Sequence, residues 1–268
     1  MKVRDEALAI QVDGQAIDGT LLIPEGVEGR PPGVLFLHGW GGCQEQYLDR
    51  ARRIAALGCV CLTFDLRGHE ATQAQQETVT RAENLRDVLA AYDALARCGK
   101  ADRRRMALVG SSYGAYLAAL LTLQRPVRWM ALRAPALYKD TGWDVPKRKL
   151  HQDPDFEAFR RREVSPAENR ALAACANFHG DALLVESEND QVMPHPVIAN
   201  YVAALSNAHS LTYRVIDGAD HGLTSAEWKQ AWTDLLVTWM REMTAPARGD
   251  VQAQPQAVAT AAADLPES

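Results

Sequence analysis

Met106-Ala107-Leu108-Val109-Gly110-Ser111-Ser112-Tyr113-Gly114-Ala115-Tyr116-Leu117 is the stretch from which the whole chain can be read. It opens on an unbroken apolar run, the pattern of a short strand buried on both faces of a parallel sheet. From Tyr113 to Leu123 the spacing is helical. Between the two, Gly110-Ser111-Ser112-Tyr113-Gly114 fits G-x-S-x-G. A strand that turns this sharply into a helix forces its central residue into strained backbone geometry. Small neighbours relieve the crowding and lift the Ser112 hydroxyl out of the turn. Ser111 holds the variable position and is expected to point elsewhere. The string alone is weak, because Gly and Ser are common in turns; its place between strand and helix gives it weight.

The same alternation extends in both directions. Upstream, Leu8 to Val12 and Ala16 to Ile23 read as strands joined by Asp13-Gly14, an antiparallel edge. Gly33 to Leu37 is a buried strand, Tyr47 to Leu57 a helix stopped by Gly58, Val60 to Phe64 a strand, and Thr78 to Arg97 a long amphipathic helix. Downstream, strands are expected at Trp129 to Leu132, Ala182 to Val185 and Leu211 to Val215, with helices at Val197 to Leu205 and Ala226 to Glu242. Alternation of this kind predicts an α/β fold: an open, mostly parallel central sheet with helices on both faces, in a single domain over residues 1–245. Residues 134–180 interrupt the rhythm, being far longer than the usual connection of about 2–6 residues. With Tyr138, Trp143, Phe156 and Phe159 among charges, this segment reads as a short cap or lid over a ligand pocket, or equally as an extra helical pair with its own satellite core. Residues 246–268 turn to Ala, Pro and Gln and are expected to stay disordered.

Composition narrows the function classes. With 47% hydrophobic residues in 268, the chain can bury a full core. A net charge of −5 gives no global reason to bind nucleic acid, and Lys147-Arg148-Lys149 reads as a solvated face. No stretch reaches the roughly 18 apolar residues of a membrane span, and the N-terminus lacks a secretory pattern. The five cysteines are scattered without C-x-x-C spacing, so neither a disulfide framework nor a metal site is indicated. The expectation is a soluble, reduced, cytoplasmic protein acting on a small molecule; a homodimer is compatible with the sequence.

A serine hydroxyl needs a base to take its proton, normally histidine. Of seven histidines, His221 alone follows the last strand in a Gly218-Ala219-Asp220-His221-Gly222 setting, at the sheet end where Ser112 emerges. A carboxylate must then fix the imidazole. Asp190 lies in the loop after Ala182 to Val185; Glu186 and Glu188 are rivals that leave the strand earlier, and Glu186 reads as a cleft-lining residue. For the negative charge that develops in acyl transfer, His38-Gly39-Trp40-Gly41-Gly42 offers the Trp40 N–H and the start of the helix offers the Tyr113 N–H. His38 itself reads as a brace for the loop.

On these residues, together with Asp65-Leu66-Arg67-Gly68-His69 and Asp190-Gln191-Val192-Met193-Pro194, the chain resembles the α/β-hydrolase family, of the dienelactone-hydrolase or serine-aminopeptidase-like esterase type. The resemblance runs from about Gly33 to Glu242. It implies a serine hydrolase that cleaves a carboxylic ester or related acyl bond, with Ser112, Asp190 and His221 as triad, Trp40 and Tyr113 as oxyanion donors, and no metal or organic cofactor. Two departures bear on specificity: Glu70 stands where many relatives carry glycine, and Glu186 replaces a small residue.

Other readings have weaker support. Gly39-Trp40-Gly41 after a strand, followed by Asp65, imitates a dinucleotide site, but Gln44 stands where the third glycine belongs. A non-catalytic binding protein on the same fold would be expected to have lost a triad residue, and all are present. Thioesters and small amides need the same machinery. Arg133, Lys139 and the run at Lys147 would suit an acidic acyl group, although surface placement is the expectation for them.

Overall fold

In chain order the strands are β1 (Val3–Val12), β2 (Gln15–Pro24), β3 (Pro32–Leu37), β4 (Val60–Phe64), β5 (Asp102–Ser111), β6 (Trp129–Arg133), β7 (Asp181–Ser187) and β8 (Ser210–Ile216). The helices are α1 (Glu45–Ala55), α2 (Arg81–Arg97), α3 (Tyr113–Leu121), α4 (Phe156–Arg160), α5 (Arg170–Ala176), α6 (His195–Ala204) and α7 (Ala226–Thr244). This computed structural model describes residues 1–245. The stretch expected to be disordered, residues 246–268, lies outside the described residues.

The strands form one eight-stranded sheet in the order β1-β2-β4-β3-β5-β6-β7-β8. Only β2 runs against its neighbours; every pairing from β4 to β8 is parallel. Asp13 and Gly14 close the β1–β2 hairpin with φ of 49° and 80°, the doubly positive turn whose twist matches that of paired strands. Two cores flank the sheet. On one face Tyr47, Ala51 and Ile54 of α1 meet Trp232, Leu236 and Met240 of α7 against Val34, Phe36 and Val109. On the other, α2, α3, α5 and α6 cover Leu35, Leu37, Leu108 and Leu132. Helix α2 starts at Arg81 rather than at the expected Thr78, because Thr80 caps it in a reciprocal box with Glu83.

The long connection between β6 and β7 has two parts. Helix α5 packs against α3 and α6 as an ordinary crossover helix. The part before it, from Tyr138 to Ser165, carries a 3-10 helix at Lys147–Gln152 and the short α4. Main-chain anchors hold this part down: Arg81 donates to the carbonyls of Lys139 (2.7 Å) and Thr141 (2.6 Å), and the Lys147 N–H donates to Val79 O at 2.8 Å. Arg160 adds donors to Leu137 O (3.3 Å) and Val192 O (3.2 Å).

Candidate active site

Ser112 sits between β5 and α3 with φ 53° and ψ −116°, a conformation that costs about 1–3 kcal/mol in a non-glycine residue. The surrounding backbone enforces it. A Cβ on Gly110 would lie 2.6 Å from Ala115 Cα, and one on Gly114 would lie 2.4 Å from the carbonyl oxygen of Leu37 and 2.5 Å from that of His38. Both glycines of the motif are therefore required by close backbone approach. Strand β5 and the tip of β3 are thereby locked to the first turn of α3.

At this sheet end the loops bring the three expected residues together. His221 Nε2 lies 3.0 Å from Ser112 Oγ, and His221 Nδ1 lies 2.6 Å from Asp190 Oδ2. The other oxygen, Asp190 Oδ1, accepts the N–H groups of Val192 (2.8 Å) and Met193 (2.7 Å). A carboxylate only accepts, so the proton of neutral His221 sits on Nδ1 and its Nε2 lone pair faces the serine hydroxyl. The rivals are engaged elsewhere. Glu188 accepts the Gly218 N–H at 2.6 Å, while Glu186, expected to line the cleft, takes His195 Nδ1 at 2.9 Å and the Tyr213 hydroxyl. Glu70, where glycine was noted in relatives, has φ 45°, the left-handed region that glycine enters without strain.

Residues 38–42 lie directly against the serine: a Cβ on Gly39 would be 3.4 Å from Ser112 Cβ. Two imidazoles fix this loop. The Leu66 N–H donates to His38 Nε2 at 3.0 Å, which leaves His38 Nδ1 to donate to Gly39 O at 2.8 Å. The Gly41 N–H donates to His69 Nε2, also at 3.0 Å. Burial, with His69 alongside, pushes His38 down to about 3, and burial lowers His69 as well, so both stay neutral acceptors. Asp65 completes the brace by accepting the Gln44 N–H at 2.7 Å. Among the described residues, the N–H groups of Trp40 and Tyr113 have no protein acceptor.

Two basic residues depart from their expected surface positions. Lys147 is 2% exposed, with Nζ 4.4 Å from the Trp40 ring centroid and 5.2 Å from that of Tyr113. Its reading as part of a solvated face is overturned. Burial, helped by Arg160 and Arg81, pushes its amine down to about 7. Arg133, 6% exposed, donates from Nη2 to His221 O at 2.8 Å and so holds the histidine loop. Its signal was present in the sequence, as the one charge ending an apolar strand beside Ser111. Lys147 gave no such signal. Lys139 is partly exposed and paired with Asp153.

The sequence profile of the prolyl oligopeptidase family matches residues 50–246. The chain belongs to that family. It is an α/β-hydrolase, as the motifs implied, and other comparisons agree. Over 226 residues, 81% of this chain and 72% of the relative, it is 27% identical to an uncharacterized protein of Mycobacterium tuberculosis. It is 30% identical over 121 residues to the mitochondrial palmitoyl-protein thioesterase ABHD10 of Homo sapiens, covering 43% of this chain and 36% of that protein. The solved dienelactone hydrolase of Anabaena variabilis shares the fold at 19% identity and a TM-score of 0.66, over 90% of this chain and 99% of that one. In this prolyl oligopeptidase family member, no described helix is long and apolar enough to cross a membrane.

Proposed function

We propose that the protein hydrolyses a carboxylic ester of a small molecule through an acyl-enzyme intermediate on Ser112. The observation that carries this reading is the unbroken relay from Ser112 Oγ through His221 to Asp190, at 3.0 and 2.6 Å. His221 Nε2 takes the hydroxyl proton as the serine oxygen attacks the carbonyl carbon. Asp190, held by two backbone N–H groups, stabilises the imidazolium that results. The free N–H groups of Trp40 and Tyr113 receive the carbonyl oxygen as it becomes an oxyanion. His221 then passes its proton to the leaving alcohol. Water, deprotonated by the same imidazole, releases the acid. No step calls for a metal or organic cofactor.

The part of the 134–180 connection that precedes α5 acts as a cap over this site, with Lys147 resting on the rings of Trp40 and Tyr113. A thioester is the second substrate reading, supported by the partial likeness to a palmitoyl-protein thioesterase. The test is turnover of short-chain p-nitrophenyl esters, the matching thioesters and an aminoacyl anilide, alongside labelling by a fluorophosphonate. Ester turnover and labelling that both vanish in Ser112→Ala support the proposal. A folded wild type that ignores all three substrates and the probe rules it out.

A further inference from the structure

Behind the His221 loop, between α1 and α7, lies a cavity of about 280 Å³ that the proposed chemistry does not use. Ser111 and Gly222, the chain neighbours of Ser112 and His221, both line it. So do Arg50, Arg133 and Lys229, and no carboxylate does. We propose that this cavity is a binding site for an anionic oxygen group, a carboxylate or a phosphate, held by Arg50, Arg133 and Lys229.

Charges buried in proteins are normally paired, since removal from water penalises them. Arg133 is buried and Arg50 half-buried, with Lys229 exposed beside them, and among the described residues none of the three has a carboxylate within 4.0 Å. Arg133 meets only neutral acceptors: Ser111 Oγ at 3.5 Å, Ser187 Oγ at 3.2 Å and His221 O at 2.8 Å. Arg50 has Thr233 Oγ1 at 3.1 Å and the faces of Tyr47 and Trp232. The carboxylates nearest in field to Arg133 are Asp190 and Asp220, and each is committed, to His221 and to Thr224. Burial consequently pushes Arg50 down to about 10 and lowers Arg133.

An anionic oxygen would accept from both guanidiniums at once, which is the strongest class of hydrogen bond such donors make. The volume far exceeds the roughly 30 Å³ of one water, so a carboxylate or phosphate fits. Arg133 would then be held on both sides, by the ligand and by the His221 carbonyl.

The anion can be the acidic end of the substrate or a separate small ion, and the experiment distinguishes them. Full-length Ser112→Ala protein is titrated with inorganic phosphate by calorimetry and by the nitrogen-15 spectrum of the tryptophan indoles, with the Trp232 signal assigned by Trp232→Phe. Saturable one-to-one binding that shifts the Trp232 signal, and that weakens at least about tenfold in Arg50→Met and measurably in the surface variant Lys229→Met, is the expected result. No binding to Ser112→Ala, or binding that Arg50→Met and Lys229→Met leave unchanged, overturns the proposal. In wild type, phosphate that competes with mono-p-nitrophenyl succinate but not with p-nitrophenyl butyrate identifies the substrate as the source of the anion. Binding without competition against either ester identifies a free ion. The substrate arm rests on the hydrolase reading; phosphate binding in a protein that turns over no ester would remove that reading and leave the site.

Discussion

The two flanks of Ser112 handle charge in opposite ways. On the side of residues 38–42, His38 and His69 are buried and neutral, and each accepts a backbone N–H at Nε2, from Leu66 and from Gly41. On the side of α1 and α7, Arg50 and Arg133 keep their charge with no carboxylate in contact. The buried imidazoles of the first flank are satisfied within the chain. The second flank is complete only with a partner. A closed network holds geometry, whereas an open one recognises something, and the serine stands between the two.

The sharpest test of the contrast is at its centre. Asp190→Asn removes the carboxylate that fixes the His221 tautomer, and kcat on p-nitrophenyl esters should fall by about 10⁴-fold with the fold intact by circular dichroism. Acid should act next, on the neutral flank. His38 ionises near its ordinary value when unfolded but only near 3 when folded, so the unfolded state binds the extra proton between these values. Stability should therefore be full above about pH 6.5 and decline as pH falls toward 3, by up to a few kcal/mol from this residue. Urea midpoints measured across that window should slope less steeply in His38→Gln. If the slopes match, the imidazole is not the source of the acid sensitivity.

On the charged flank the expected effects are smaller. Arg133→Met loses the donor to the His221 carbonyl, and a shift of the histidine by a fraction of an ångström should lower kcat about 10²-fold while KM for a neutral ester changes little. An unchanged kcat would show that the histidine loop is held without it. Lys147, which lies over the Trp40 ring on the other flank, gives the smallest effect. Its amine ionises at about 7 in the fold against 10.5 outside, so the unfolded state binds more protons between these values and stability rises with pH across them. Lys147→Met should raise the melting temperature below pH 7, by the equivalent of about 1 kcal/mol after loss of the cation–π contacts, with the gain shrinking toward pH 10.5.

The order of elements and the sheet end where Ser112 and His221 meet were legible from periodicity: apolar runs from Gly33 to Leu37 and Met106 to Val109 suit strands with both faces covered. The meeting of Ser112, Asp190 and His221 was legible because the loops after β5, β7 and β8 all open at that sheet end. Lys147 was not, since a lysine in a basic run carries no mark of the aromatic rings that tertiary folding stacks around it. Arg133 was half legible: its strand was foreseen, but its burial depends on α1 and α7 closing over the end of β6, a contact no local pattern encodes. The division of the 134–180 connection into a segment tied down by Arg81 and Arg160 and an ordinary crossover helix was hidden for the same reason.

Backbone contact at Gly114 has a bearing on how such a protein can diversify. With no room for even one methyl between α3 and the end of β3, the elbow and the glycine loop can be inherited only as a fused unit. Variation is then channelled outward, to side chains such as Lys147, Arg50 and Lys229 that lie outside this backbone contact. A lineage built this way can change what it accepts many times over while its bond-breaking core stays frozen.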